Sequence, residues 1–408
     1  MLKCLLFFVL IVIYVHSECE GSEEEKCPEG KAHLDRGTIA LSGQFLYQLS
    51  QSRPNDNFVT SATSILTPLA QLVPFTEKSV SKQLLTVLNL CSEDELKCVY
   101  LQETASYKNQ DQVEFEIATK YFANENYPLS DKFKEESKKY FDASGQNVDF
   151  SHSAQAADII NGWVANKTHD RIKNLVSPDS LDASTVAVLV NAIYFLGNWK
   201  YQFNPKNTQK RDFTQRNKKV VQLDTMYQEH TFKYAQDSDL KIKALVMPYK
   251  NQNFSFLGIL PEEDAFVSTV SALRNPDTFI NITKKLRYEK VQVYLPKMTI
   301  NTYMNMEEML RKVNVTEIFD PNSNGFKGIL KNNKPLYISS AVQKAFMKVD
   351  ETGTEAAAAT ELTIEIRAIR RSFTQIIPSY STYYTRLLLC FVVSSQVLLK
   401  LLFLVSQQ

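Results

Sequence analysis

Glycine is scarce in this chain, at 11 of 408 residues, and there are only 14 prolines, which excludes collagen-like repeats and glycine- or proline-driven disorder. An excess charge of one sign is missing as well. Lysine and arginine total 46 against 45 acidic residues, for a formal net charge of +1, so no overall basic field gathers a phosphate backbone and nucleic acid is not an expected partner. Six cysteines are too few to scaffold a chain of this length, whose core is large enough to stand without them. The five histidines, His16, His33, His152, His169 and His230, are not spaced from one another or from cysteine as zinc ligands are. A Gly-x-Ser-x-Gly elbow, a phosphate-cradling glycine loop and a His-Glu-x-x-His helix are all lacking. We therefore expect no enzyme, no metal and no other cofactor.

What is present begins with an address. Met1-Leu2-Lys3 precedes the apolar run Leu5 to Val15, and modest residues follow up to Ser17, the pattern of a secretory signal peptide over 1–17. The run is shorter than the roughly 20 residues a membrane helix needs; a signal anchor is the competing reading. Secretion gives meaning to four glycosylation sequons, at Asn166, Asn253, Asn281 and Asn314. The mature cysteines are Cys19, Cys27, Cys91, Cys98 and Cys390. Cys19 with Cys27 and Cys91 with Cys98 could each close a short loop, the alternative being free or variably paired thiols, and Cys390 is left over either way.

Residues 18–34 are polar and acidic and read as a leader, with a single domain from 35 to 408. Leu41, Phe45, Leu46 and Leu49 recur at helical spacing, and Ser79 to Leu90 and Leu129 to Tyr140 read as amphipathic helices. Val186 to Phe195 is apolar on both faces and rich in β-branched residues, so it is expected as a central strand buried on both sides. Val246–Tyr249 and Phe254–Leu260 flank a polar turn as a hairpin, and Val291 to Leu295 alternates as a half-buried strand. Helices dominate the first half and long strands the second, which makes the class α+β.

Residues 351–367 carry a mechanism. Thr354, Ala356, Ala358, Thr360, Leu362, Ile364 and Ile366 fall on one face of a strand, and Glu355, Ala357, Ala359, Glu361, Thr363 and Glu365 on the other, the period of two that puts one face in a core and one in water. Alanine is a poor strand former, so the segment can be a strand without insisting on it. Its small side chains would let it slide between existing strands, with Gly353 as a flexible pivot. Arg367 stands at the far end, where a trypsin-like protease would cut. A surface helix or plain loop with a chance arginine is the competing reading of these residues.

Several motifs in register carry a resemblance. Asn57-Phe58-Val59-Thr60-Ser61-Ala62-Thr63-Ser64-Ile65, Ile160-Asn161-Gly162-Trp163-Val164, Asn191 to Trp199 with Phe203, Thr208 and Phe213, Leu295-Pro296-Lys297, and Glu351 to Thr360 together resemble the serpin family over roughly 35–371. The resemblance implies three β-sheets, eight or nine helices and an exposed reactive-centre loop, here 351–371, that acts as bait. A target protease's serine attacks the bait bond; the loop then inserts as a new central strand and traps the acyl-enzyme, with no catalytic residue from the inhibitor. It further implies a loop hinge at Glu351, Gly353, Thr354, Glu355 and Ala356 to Ala359, and a sheet-opening region, the shutter, that includes Ser61, Ser64, Asn191 and Gln343. Counting about 17 residues from Glu351 places the bait bond at Arg367–Ala368, with Arg370-Arg371 as the competing bait.

Three departures stand out. Ala62 takes the place of the family's proline, and Gln343 that of its usual histidine. The tail, 372–408, lacks the family's closing strand motifs and carries instead the apolar run Leu387 to Val405, broken by Ser394-Ser395-Gln396 and Lys400. A hairpin turning at 394–396, a spliced or frame-shifted tail, and a membrane helix are the three readings, the last opposed by a cost of about 2.5–3.5 kcal/mol for Lys400 near a bilayer centre. The expected function is a secreted, glycosylated, monomeric suicide inhibitor of a trypsin-like serine protease; the alternative is a non-inhibitory or inactive relative. Lys210, Arg211, Arg216, Lys218 and Lys219 form a basic cluster that could take a polyanion.

Overall fold

The helical spacing of Leu41, Phe45, Leu46 and Leu49 belongs to a helix over Lys26–Ser52 that buries all four. This computed structural model describes residues 26–107, 113–214, 219–251, 253–332, 334–354, 371–372, 387–393 and 397–405. The expected signal peptide over 1–17, residues 18–25, most of the expected reactive loop and much of the tail lie outside them. The first helix moves the expected boundary at residue 35, because the polar residues 26–34 are helical. Lys31 pairs with Glu103 at 2.5 Å and His33 Nδ1 lies 2.9 Å from Glu95 Oε1, so acids more than sixty positions away satisfy a helix start that looks like a solvated leader in isolation. Cys91 and Cys98 are both disulfide-bonded, which removes the free-thiol reading for these two.

Nine α-helices occur among the described residues. The amphipathic pair lies over Lys78–Leu88 and Asp131–Phe141, the second capped by Ser130, whose hydroxyl accepts from Phe133 N. The strand expected to be buried on both faces spans Ala187–Asn198, with its first nine residues all buried. It sits in a six-stranded sheet ordered 298–305, 340–349, 353–354, 187–198, 113–124, 144–148. One side of this sheet meets the cores holding Phe195, Leu189 and Met347, and the other meets a smaller core under the helix Ser153–Lys167.

The remaining strands form one nine-stranded sheet, ordered 58–60, 397–405, 387–393, 254–261, 242–248, 220–237, 287–296, 371–372, with 209–214 also on 220–237. Two of the three sheets implied by the resemblance are thus hydrogen-bonded through one long strand, Val220–Asp237, whose first half pairs with 209–214 and whose last residues pair with 242–246. The tail run is a hairpin, as one reading had it: Leu387–Val393 pairs antiparallel with Val397–Val405 across residues 394–396. The first strand adds to 254–259 and the second to 58–60. A run in which each strand has partners on both sides leaves no single helix to cross a membrane, and no described helix is long and apolar enough to do so.

Candidate functional site: a seam between two central strands

Strands 340–349 and 187–198 run parallel and are directly paired from Ser340↔Val188 to Phe346↔Tyr194. Parting these two strands would free ladder groups on both edges, and this is the seam where the serpin resemblance implies that the loop inserts. The seam is closed by this ladder, tied by side chains at its middle, and parted at the top.

The middle is a polar knot inside an apolar core. Ser61 caps the helix Ala62–Leu72 by accepting from Ser64 N at 3.2 Å. Ala62 is therefore the first helical residue, where proline is favoured but not required, and the departure from the family is absorbed by the cap. Pro68 lies inside the same helix and has no N–H to give the carbonyl four residues back. That carbonyl, Ser64 O, accepts instead from Asn191 Nδ2 at 2.6 Å, and the same amide donates to Thr119 Oγ1 at 2.9 Å. Gln343, fully buried, closes the knot: its Nε2 donates to Ser64 Oγ at 2.9 Å and Asn191 Oδ1 at 3.3 Å, while its Oε1 accepts from Thr60 Oγ1 at 3.1 Å. Glutamine thus fills the usual histidine position with both a donor and an acceptor in use. The structure brings Ser61, Ser64, Asn191 and Gln343 together; Thr60, quoted in the sequence only within a motif, and Thr119 and Pro68, not singled out there, complete the knot.

At the top, Gly353 and Thr354 already form a short strand between the two, pairing Gly353↔Asn198, Thr354↔Gly197 and Val349↔Thr354. Gly353, expected as a pivot, also has a packing requirement here. A Cβ there would overlap the Gly197 carbonyl oxygen and come within 2.7 Å of Asn198 Cα, so glycine is needed for close approach of two backbones. Around it Trp199 donates Nε1–H to Asp350 O at 3.0 Å and its backbone N–H to Thr352 O at 2.9 Å. Glu351 accepts from Thr208 Oγ1 at 2.8 Å and pairs with Lys297 at 2.9 Å. Burial alone would push the Glu351 carboxyl up, but the Lys297 ammonium and the Thr208 hydroxyl hold it below the ordinary range. Sequence reading placed Thr208 and Lys297 in motifs without a role; their link to Glu351 spans 143 and 54 positions.

Glu355, Ala356 to Ala359, Arg367 and Ala368 lie outside the described residues. Of the basic cluster, Arg216 and Lys218 do as well. Lys210 is paired with Asp224 at 3.1 Å and Arg211 lies over the Tyr294 ring at 4.3 Å. His33, Cys91 and Glu95 bring ligand atoms within 4.8 Å of one another. Cys91 is tied in a disulfide, and Glu95 Oε2 accepts from its backbone N–H at 2.5 Å, so the group is a clasp between the first helix and Glu93–Tyr107.

Comparison with known proteins agrees with this geometry. The family model described as Serpin (serine protease inhibitor) matches residues 37–377. The chain is 35% identical to alaserpin of Manduca sexta over 78% of its length and 82% of that protein's, and 33% identical to an antitrypsin of Bombyx mori over 81% and 84%. A solved structure of native protease nexin-1 with heparin superposes with a TM-score of 0.81 at 26% identity, covering 93% of this chain and all of that one. The chain belongs to the serpin family.

Proposed function

We propose that this serpin is a secreted suicide inhibitor of a trypsin-like serine protease, with Arg367–Ala368 as its bait bond. The register at the top of the seam carries the reading. Continuing the pairs of Thr354 with Gly197 and Val349 puts Ala356 beside Phe195 and Met347, Ala358 beside Ile193 and Ala345, Thr360 beside Asn191 and Gln343, and Leu362 beside Leu189 and Ala341. Two registers counted independently, one on each strand, thus reach Asn191 and Gln343 at the same residue, and these two are level in the present ladder. Every named neighbour is buried, so the apolar face of the loop meets the core, and its only polar member at this depth, Thr360, meets the polar knot.

Insertion therefore has a starting strand and a closed seam ahead of it. Separating Asn191 from Gln343 costs their mutual hydrogen bond, and Thr360 offers a hydroxyl in exchange. The opposite face is not water along its whole length: Val190 and Val342 are buried under the helix Ser153–Lys167, so that helix must lift for Glu361 to pass. Arg371–Ser372 is already paired with Val291–Gln292, which favours Arg367 over Arg370-Arg371 as bait, since a protease needs an unpaired extended segment. The tail hairpin supplies two strands to the sheet, which supports an active product over an inactive one. All four sequon asparagines are exposed, as glycosylation requires, and a heparin-bound relative lends a polyanion partner a place in this reading, though Lys210 and Arg211 are already engaged.

The test is incubation of the purified secreted protein with trypsin, followed by denaturing gels and mass spectrometry. A denaturant-resistant complex with release of a fragment starting at Ala368 is expected, and Arg367→Glu should abolish it. Cleavage at that bond without a complex would assign the chain to the non-inhibitory class.

A further inference from the structure

We infer that one stripe of the helix Ser153–Lys167 is a sugar-binding face that holds the first residues of an N-glycan on Asn166. The inference rests on the secretory part of the proposed function, which gives the sequon its meaning, and adds a place for the sugar to lie. Ile159, Gly162, Trp163 and Asn166 stand at i, i+3, i+4 and i+7, the spacing that aligns side chains along one side of a helix. The stripe is turned away from the core, which takes Ala156, Ala157, Ile160 and Val164 from the same helix. Ile159 is 37% exposed, one of six large hydrophobic side chains so placed among the described residues, and Trp163 is half-buried.

Gly162 has no packing reason to be glycine. Its backbone is helical and a Cβ added there meets nothing within 4 Å, while glycine in a helix interior costs stability. What it does is clear a floor beside the indole, four residues before Asn166. Side chains on a helix lean toward its N-terminus, so a group carried by Asn166 lies over the turn that holds Gly162 and Trp163. The seven residues back to Ile159 span about 10 Å along the axis, a length that the first two N-acetylglucosamine rings of an N-glycan cover. Asn281, the other sequon inside a helix, has Asp277 and Thr278 where this one has Gly162 and Trp163, and offers no such surface.

The indole is fixed before any sugar arrives. Phe122 meets it edge-on with ring centroids 5.9 Å apart, and Lys120 Nζ lies 5.4 Å from its centroid while donating to Gln146 Oε1 at 2.7 Å. A ring already held in place loses little freedom on binding. The C–H face and N-acetyl methyl of the sugar fit Ile159 and the indole, and its hydroxyl and amide oxygens are acceptors for lysine. Burial, and after it the Lys167 ammonium, hold Lys120 below the ordinary lysine range, so added acceptors favour its charged form. The occupant is thus an acetylated sugar tethered where the stripe begins.

The test is expression in glycosylating eukaryotic cells, with the secreted wild type compared with Asn166→Gln, Gly162→Gln and the double variant. Mass spectrometry reads site occupancy, acrylamide quenching the exposure of Trp163, and thermal unfolding the stability. The other tryptophan, Trp199, is 1% exposed and adds a constant background. Asn166 is expected to be occupied. Loss of its glycan should raise quenching and lower the melting temperature by about 1–2 °C, the scale of one aromatic contact in a chain of this size. Gly162→Gln should crowd the sugar and raise quenching in the glycosylated chain, yet raise the melting temperature of the Asn166→Gln chain, since glutamine is the better helix former. Enzymatic removal of the glycan from folded wild type gives the same comparison where Asn166→Gln secretes poorly. An unoccupied Asn166 in a chain glycosylated elsewhere, or quenching unmoved by loss of the sugar, overturns the inference. Retention in the cell without sugar at any sequon would instead sink the secretory reading, and this inference with it.

Discussion

Replacing Gln343 by leucine tests whether the polar knot holds the seam shut. Leucine matches the apolar surroundings and about the same length, so the change is chiefly the loss of one amide. It leaves the Thr60 hydroxyl without its acceptor and Asn191 Oδ1 without its donor, both inside the core. Each buried orphan costs about 1–3 kcal/mol; the 3.3 Å bond to Asn191 is long and belongs at the low end, so the total is about 2–4 kcal/mol. For a chain of this size each kcal/mol moves the melting temperature by roughly 1–2 °C, which predicts a fall of about 2–8 °C for the intact protein. Once the loop is inserted, Thr360 stands between Asn191 and Gln343, so the direct bond is no longer part of the folded state and its loss should matter less. Thermal and urea unfolding of the intact chain and of the chain nicked at Arg367–Ala368 measures both. An equal loss in the two forms, or none in the intact one, refutes the assignment of this knot to the closed seam.

Three other outcomes follow from the same geometry. Glu351 has its carboxyl held below the ordinary range, so the stability it contributes is present above that range, near pH 4.3, and is lost as the pH falls through it toward the folded value. Melting curves at stepped pH should show Glu351→Gln less stable than wild type at pH 7 and the gap closing as the pH falls below the ordinary carboxylate range; a constant gap would show that the ion pair with Lys297 is not its source. Gly353→Ala forces a Cβ against the Gly197 carbonyl and should cost the intact form about 1–3 kcal/mol, the usual range for overpacking, read as a lower urea midpoint at unchanged slope. Truncation after Arg386 removes both strands between 58–60 and 254–261 and exposes an edge in mid-sheet; secretion yield of the truncated chain should fall to background, and normal yield would mean the tail is dispensable.

The tail and the leader show where sequence reading stops. The hairpin over 387–405 was legible because two apolar runs with a polar break record their own turn. Which strands it would join was not, since strands 58–60 and 254–261 lie more than a hundred residues away. The leader failed in the opposite direction: residues 26–34 carry no strong apolar periodicity, and the partners that hold them helical, Glu95 and Glu103, come from another helix.

By itself the sequence determined what a residue's own neighbours can enforce. The buried strand 187–198 and the amphipathic helices follow from local period and side-chain type, because burial on one side writes itself into spacing. Only the tertiary structure decided the contacts that govern the seam. The missing N–H of Pro68 frees a carbonyl for Asn191, 127 positions from Ser64, and Gln343 reaches Ser64 across 279. Glycine is required at 353 by the backbone of strand 187–198 rather than by any turn. Such pairings depend on which surfaces the whole chain brings together, and no local pattern encodes them.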